Sequence, residues 1–129
     1  MGATIWSQGQ VIGLGPQTVY AINDSGSVVG VGPNPPGAVT EWTQGQAIAL
    51  GPFGLPLSIN DAGEAVGWSL DNITTYAAEW SGGQVIDLGG LPGWTESVAY
   101  GVNSSGVAVG YSVIDGVDYA TEWHDGAVK

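Results

Sequence analysis

The sequence contains no cysteine and no arginine, and its only lysine is Lys129. Without cysteine the chain has no disulfides and no thiolate chemistry, so its composition does not fix a redox compartment. Twelve acidic residues against this one lysine give a formal net charge of −11, which argues against nucleic acid and anionic membranes as partners. The charge is typical of a soluble surface, and attraction to a cation or a cationic partner is the alternative interpretation.

Long apolar runs are also absent. No stretch approaches about eighteen consecutive apolar residues, and the first residues lack a basic segment followed by an apolar one. We therefore expect neither a membrane-spanning segment nor a signal peptide within this sequence. Twenty-three glycines and seven prolines separate short runs rich in Val, Ile, Trp and Tyr, without helical periodicity. This composition favours short strands joined by tight turns.

One unit of about forty residues is present three times and begins a fourth time. Trp residues, each followed by a Gly-containing turn, recur 36, 38 and 43 positions apart: Trp6, Trp42, Trp80 and Trp123. Between them an Asn precedes a Gly by three positions, in the pairs Asn23 and Gly26, Asn60 and Gly63, and Asn103 and Gly106. We interpret these Trp, Asn and Gly residues as structural. The repeats predict a single domain over 1–129, with a half repeat at 1–15 and repeats at about 16–51, 52–89 and 90–129.

Each repeat is predicted to form four short antiparallel strands. An Asn with Gly three positions on suits a type I turn followed by a residue at positive φ, and the Gly after each Trp suits a second hairpin turn. Four antiparallel strands in about forty residues are the proportion of a β-propeller blade. The strands are apolar on both faces, so both must be covered, as in a blade. One face carries small residues, among them Gly30, Gly67 and Gly110, which we expect to let the next sheet approach closely. A β-prism or a β-solenoid also covers both faces and stays open as the alternative.

The predicted hairpins make about three and a half blades. Closed propellers have about four to eight blades, so we expect the ring to be completed by oligomerisation. An open end of the array exposes strand edges and an apolar face, which favours self-association. The first predicted partner is therefore a second copy of the chain, in a homodimer or a higher homo-oligomer. A piece of a longer array is the alternative.

The third repeat carries a family resemblance. The segments DLGGLPG at 87–93, AYGVNSSG at 99–106, VGYS at 109–112 and YATEW at 119–123 resemble the bacterial extracellular repeats called the HAF family. The pattern of that family runs DLG-LPGG, A-IN-SG-VVG-S and HAF-W-G. Its Ala and Trp are kept as Ala120 and Trp123, whereas its His and Phe are replaced by Tyr119 and Thr121. The resemblance extends over essentially the whole chain and implies a secreted or surface repeat domain with a poorly defined biochemical role.

Catalysis is not expected. His124 is the only histidine and lies beside a turn, whereas a catalytic triad needs a buried, oriented imidazole. Glu41, Glu79 and Glu122 precede Trp in successive repeats, and paired carboxylates do hydrolyse glycosides. Repeat equivalence nevertheless places these three residues in different blades, so a glycoside hydrolase is the least favoured alternative. The absence of arginine excludes a sialidase-like arginine cluster.

Acidic turns are the weak candidates for a metal site. Asp24 and Asp61 lie in Asn turns, and Asp115 and Asp118 lie around a Gly-containing turn. Carboxylate oxygens suit calcium, although no complete loop of alternating Asp ligands is present. Calcium is therefore the only candidate cofactor, and solvated turn acids are the simpler interpretation.

Aromatic residues give the best binding hypothesis. Four of them do not repeat fully, namely Trp68, Tyr111, Trp94 and Phe53. Exposed aromatic rings flanked by polar groups bind sugar rings or protein partners well. The sequence therefore predicts a non-catalytic extracellular or surface module that binds a glycan or a protein, or that serves in assembly. The alternative is a purely structural scaffold, natural or engineered, that assembles with its own copies into a closed ring.

Overall fold

The structure, a computed structural model, describes residues 3–7, 9–15, 18–33, 36–51 and 53–128. Fourteen strands form in these ranges: β1 (Ala3–Ser7), β2 (Gln10–Gly15), β3 (Thr18–Ile22), β4 (Val28–Pro33), β5 (Pro36–Thr43), β6 (Gln46–Gly51), β7 (Gly54–Ile59), β8 (Ala65–Asp71), β9 (Thr74–Ser81), β10 (Gln84–Gly89), β11 (Glu96–Val102), β12 (Ala108–Ile114), β13 (Val117–His124) and β14 (Ala127–Val128). Within them no helix is long and apolar enough to cross a membrane.

The strands pair with their sequence neighbours in antiparallel order. Strands β1 and β2 form a hairpin, and three four-stranded sheets follow: the first sheet (β3 to β6), the second sheet (β7 to β10) and the third sheet (β11 to β14). The prediction of an all-β chain built from four-stranded antiparallel units is confirmed. Each sheet is a meander, because every connection within it is a short turn between adjacent strands.

The Asn turn joins the first two strands of each sheet. In the second sheet the side-chain Oδ1 of Asn60 accepts hydrogen bonds from the backbone N–H groups of Ala62 (3.1 Å) and Glu64 (2.9 Å). Gly63 adopts φ +85° and donates its N–H to the Asn60 carbonyl at 3.1 Å. The side chain of Asn60 thus satisfies backbone donors that the turn leaves without strand partners. The turns at Asn23 and Asn103 have the same bonds.

A β-bulge interrupts the first strand of every sheet, and glycine makes room for it. In the second sheet the register shifts between Pro56 and Ser58, which leaves Leu57 unpaired. A Cβ atom on Gly67, opposite the bulge, would lie 1.9 Å from the backbone oxygen of Leu55. The same contact occurs at Gly30 and Gly110. We expected these glycines to let the neighbouring sheet approach closely. They instead allow the bulged strand of their own sheet to approach.

The sheets stack face to face through one repeated pairing. We call the face that bears Val29, Val66 or Val109 the front, and the face that bears Trp42, Trp80 or Trp123 the back. The front of the first sheet packs on the back of the second through a cluster of Val29, Val39, Ile59, Ala65, Ala78 and Trp80. The front of the second packs on the back of the third through Val66, Ala77, Leu88, Ala99, Ala108 and Trp123.

The repeated tryptophans lie on the back faces. Trp80 and Trp123 are fully buried between sheets, whereas Trp42 is half-buried on the first sheet. Trp6 is part of β1, and its side chain lies outside the described residues. The Nε1 atoms of Trp80 and Trp123 have no hydrogen-bond partner in the described part of the chain. Burial of the rings, rather than an N–H bond, therefore holds these two tryptophans in place.

Candidate functional site

The Asn turns of consecutive sheets are hydrogen-bonded to one another. The side-chain Nδ2 of Asn23 donates to the carbonyl of Asn60 at 3.0 Å, and the Nδ2 of Asn60 donates to the carbonyl of Asn103 at 2.9 Å. We call this row the Asn ladder. In Asn23 and Asn60 the amide oxygen closes the residue's own turn while the amide nitrogen bonds to the next turn. The ladder therefore fixes the spacing of the sheets along one edge of the stack.

Two acidic residues accompany the ladder. The backbone N–H of Asp24 donates to Oδ1 of Asp61 at 2.8 Å. The side-chain hydrogen bond to Asp61 and then the negative charge of Asp61 raise the pKa of Asp24. These two predicted metal ligands thus lie together, whereas Asp115 and Asp118 lie around the turn between β12 and β13 in the third sheet. Across the described ranges, no group of three or more His, Cys, Asp or Glu residues is placed to hold a metal. Calcium binding stays a prediction.

The recurring glutamates occupy equivalent places on the front faces. Glu41, Glu79 and Glu122 are the cross-strand partners of the front-face valines, one in each sheet. Burial, and then the negative charge of Glu64, raise the pKa of Glu79. Because each glutamate belongs to a different sheet, they form a repeated position along the stack rather than a carboxylate pair around one substrate.

The histidine is part of a surface contact. His124 bonds through Nε2 to Oε2 of Glu122, two residues earlier on β13. Both side chains are partly exposed. This contact lies at the end of β13 and differs from the buried, oriented imidazole of a nucleophilic triad.

Two of the four predicted ligand-binding aromatics lie together. The rings of Phe53 and Trp68 meet edge to face, with centroids 6.2 Å apart and planes at 65°. Phe53 is among the exposed large hydrophobic residues, and its carbonyl accepts a hydrogen bond from Ser69 Oγ at 2.6 Å. This bond holds the loop before β7 against β8. The pair presents one exposed ring supported by a half-buried one.

Tyr111 pairs with an aromatic residue that the sequence did not single out. Its ring stacks on Tyr100, with centroids 5.7 Å apart and planes at 25°. Its hydroxyl donates to Oε1 of Glu96 at 3.3 Å, and burial, with the charge of Glu96, raises the pKa of Tyr111 to about 12. Tyr100 is the bulged residue of β11, and Tyr20 has the same place in β3. This equivalence was the sequence signal for Tyr100.

Trp94 does not join either aromatic pair. It lies in the loop between β10 and β11, where its backbone N–H donates to the carbonyl of Leu91 at 3.0 Å. A Cβ atom on Gly90 would lie 2.7 Å from Cγ of Trp94. Trp94 therefore packs against its own loop, and the four predicted residues are distributed over three places.

The two end faces of the stack differ in how much of their surface is exposed. On the front, Val66 of the second sheet is 0% exposed, whereas Val109 of the third is 50% exposed. On the back, Ile59 of the second sheet is 8% exposed, whereas Ile22 of the first is 55% exposed. A groove of about 290 Å³ lies beside Ile22, between β1 and β3. The front of the third sheet is thus open, whereas the back of the first sheet exposes Ile22 but keeps Val28 and Ala38 buried, at 2% and 0% exposure.

Searches of protein-family models, curated proteins and solved structures gave no match to the chain. Membership of the HAF family therefore stays a prediction that depends on the motifs alone.

Proposed function

We propose that this chain is a non-catalytic repeat module whose stacked sheets serve as an assembly scaffold, outside the cell or at its surface. One observation carries the proposal. The interface between the first and second sheets is repeated between the second and third, and the front of the third sheet exposes Val109, whose equivalents Val29 and Val66 this interface buries. Exposed apolar positions that are buried wherever a neighbouring sheet is present favour association. The location outside the cell is what the resemblance to HAF repeats implies.

In this proposal the sheets are blades of a propeller-like ring that copies of the chain complete together. Two chains with three four-stranded sheets each supply six sheets, within the range of about four to eight blades in closed propellers. A homodimer is the simplest such assembly. A smaller rotation between copies gives a larger ring, and a rotation that does not bring the last copy back to the first gives an open array.

Size-exclusion chromatography with light scattering tests the assembly function. We expect a particle mass of at least twice the 13.1 kDa of one chain, with dissociation on dilution. A mass of one chain at every concentration would refute the proposal and favour a β-prism or β-solenoid that covers its own faces.

A second candidate function is glycan binding at Phe53 and Trp68. The observation that favours it is the exposed ring of Phe53 supported edge to face by Trp68, since an exposed aromatic face stacks on sugar rings. A glycan array followed by calorimetry should show saturable binding that Phe53→Ala abolishes. Ile73→Ala is the matched control, because Ile73 is an exposed apolar residue in the turn between β8 and β9. Absence of any saturable ligand would leave the scaffold function alone.

A further inference from the structure

We infer that the front of the third sheet carries a binding site for a neutral sugar, formed by Tyr100, Tyr111 and Glu96. The site takes one pyranose unit of a neutral glycan, with the flat side of the sugar against the Tyr100 ring and its hydroxyls against the polar groups beside that ring. The inference goes beyond the assembly function, and the site is distinct from the pair of Phe53 and Trp68.

The first feature of the site is an aromatic surface that is held in place and open to solvent. The rings of Tyr100 and Tyr111 are stacked, with centroids 5.7 Å apart. Tyr100 is 57% exposed, whereas Tyr111 is half-buried. Tyr111 thus supports the pair, and Tyr100 provides the ring that a ligand can reach. The negative face of such a ring attracts the C–H groups on the flat side of a pyranose.

The second feature is a group of polar atoms beside the rings. The Tyr111 hydroxyl donates to Oε1 of Glu96 at 3.3 Å. Burial, and then Glu96 and the side chain of Tyr100, raise the pKa of Tyr111 to about 12, so the polar groups of all three residues lie close together. A carboxylate has about four acceptor positions, so Glu96 retains acceptors for the hydroxyls of a ligand.

The stacked pair is not part of the repeat pattern. The other two sheets fill the places of Tyr100, Tyr111 and Glu96 differently, with Tyr20 and Val31 in the first sheet and with Leu57, Trp68 and Phe53 in the second. Residues that the fold needs recur in successive sheets, as Trp80 and Trp123 do. Two sheets of the same kind form without the tyrosine pair, which favours a role in binding over a role in folding.

The site stays open in the proposed ring. Tyr20, at the place of Tyr100, is 44% exposed although the front of the first sheet packs on the second. Phe53, at the place of Glu96, is 47% exposed although the front of the second sheet packs on the third. Both places therefore lie at the margin of the interface, and a sugar can bind there while a second copy covers the rest of the face.

The charge of this face selects against acidic ligands. Asp118 and Glu122 lie on the front of the third sheet, as the cross-strand partners of Val113 and Val109, and Glu96 adds a third carboxylate. Sulfated sugars and uronic acids would be repelled. A lysine-rich segment of another protein would be attracted, but it offers the exposed ring no flat surface on which to stack. A neutral pyranose supplies both a flat C–H side and hydroxyl donors, so it is the occupant that fits.

Affinity gel electrophoresis tests the site in the intact chain. The net charge of −11 carries the chain through a native gel, and a neutral polysaccharide in the gel retards a chain that binds it. The probes are a soluble β-glucan, a mannan, an unsubstituted xylan and a galactan, and we expect at least one to retard the parent chain. Tyr100→Leu should weaken this binding at least about tenfold, because the stacking ring is removed. The fold accommodates leucine at this place, since Leu57 occupies it in the second sheet.

Two further variants are matched controls. Tyr20→Leu makes the same exchange at the same place of the first sheet, where Val31 replaces Tyr111, and it should bind like the parent. Glu96→Gln removes the charge but keeps an oxygen acceptor, so binding of the neutral sugar should fall by no more than about fivefold. Circular dichroism of each variant checks that the fold is retained.

Every outcome decides for or against the sugar site. Retardation by none of the probes, or equal retardation of the parent and Tyr100→Leu, would overturn it. Loss of retardation in Phe53→Ala but not in Tyr100→Leu would assign sugar binding to Phe53 and Trp68 instead. Saturable binding of a lysine-rich peptide that Glu96→Gln abolishes, without retardation by any polysaccharide, would replace the sugar by a cationic partner. Light scattering on the same samples measures self-association separately, so a monomeric parent that binds sugar through Tyr100 refutes the assembly function and keeps this inference.

Discussion

Replacement of Asn60 by Ala measures what the Asn ladder contributes to stability. Asn60 is buried and makes four side-chain hydrogen bonds. Two close its own turn, one is donated to Glu64 Oε1 at 2.6 Å, and one is donated to the carbonyl of Asn103 at 2.9 Å. With a net contribution of about 1 kcal/mol per bond, Asn60→Ala should lower the free energy of unfolding by about 4 kcal/mol.

The other two ladder residues are internal controls for this number. Asn103 is exposed and keeps only the two turn bonds, at 3.0 and 2.9 Å, so Asn103→Ala should cost about 1 to 2 kcal/mol. Asn23 has two turn bonds and one ladder bond, so Asn23→Ala should cost about 3 kcal/mol. Asn23→Ala and Asn103→Ala differ by one bond between repeats, so the difference between their losses isolates that contribution, and Asn60→Ala adds the bond to Glu64.

Urea denaturation followed by tryptophan fluorescence gives the three values by linear extrapolation. The measurement is made at a concentration at which light scattering shows one chain per particle, because association adds stability that depends on concentration. A chain of this length typically has about 6 to 19 kcal/mol of stability, so a loss of about 4 is measurable. Equal losses for Asn60→Ala and Asn103→Ala would refute the claim that the ladder couples the sheets.

Three further predictions concern the bulge, the core and an acidic group. Gly67→Ala should lower the free energy of unfolding by about 3 kcal/mol or more, because the new Cβ atom would lie 1.9 Å from the backbone oxygen of Leu55. Gly101→Ala, whose Cβ would lie 3.7 Å from Val109, should stay within about 0.5 kcal/mol of the parent in the same urea assay. Trp80→Ala should lower the free energy of unfolding by about 3 to 5 kcal/mol, and Trp42→Ala should lower it clearly less, because Trp42 is only half-buried. Equal losses for the two variants would contradict the argument from burial. Burial and the charge of Glu64 raise the pKa of Glu79 above 4.5, so folding favours the protonated form of this side chain. The protonated carboxyl therefore contributes to the free energy of unfolding below pH 4.5, and this contribution is lost as the pH rises through the folded-state pKa. Glu79→Gln should therefore be more stable than the parent at pH 7 and no more stable at pH 4, and a constant difference between the two pH values would contradict it.

The sequence predicted the number and type of strands because both hairpin turns depend on local chemistry. Asn60 and Gly63 determine their turn within five residues, whatever the rest of the chain does. The bulge was missed because its unpaired position is Tyr20, Leu57 or Tyr100 in the three sheets, and none of these is a glycine or another residue typical of bulges. The glycines opposite the bulge were consequently assigned to packing between sheets.

The candidate site was predictable only in part, for a related reason. Phe53 and Trp68 were both singled out as aromatics outside the repeat pattern. Their rings are in contact because Phe53 directly precedes β7 and Trp68 lies on β8 of the same sheet. The Asn ladder joins residues 37 and 43 positions apart, and its bonds depend on how neighbouring sheets are placed. The amides were interpreted as turn formers because a single repeat contains no information about the distance to the next one.

The front-to-back interface has a consequence for how such chains change in length. The front of the first sheet meets Ile59, Ala65 and Trp80, and the front of the second meets the equivalent Val102, Ala108 and Trp123, so the two interfaces use three positions in common. Removal of residues 52–89 would bring Val29 against Trp123 without a new kind of contact. Gain or loss of a whole unit by gene duplication or deletion would thus keep the contacts at these shared positions, so the unit is the natural step in which such a chain can change its length.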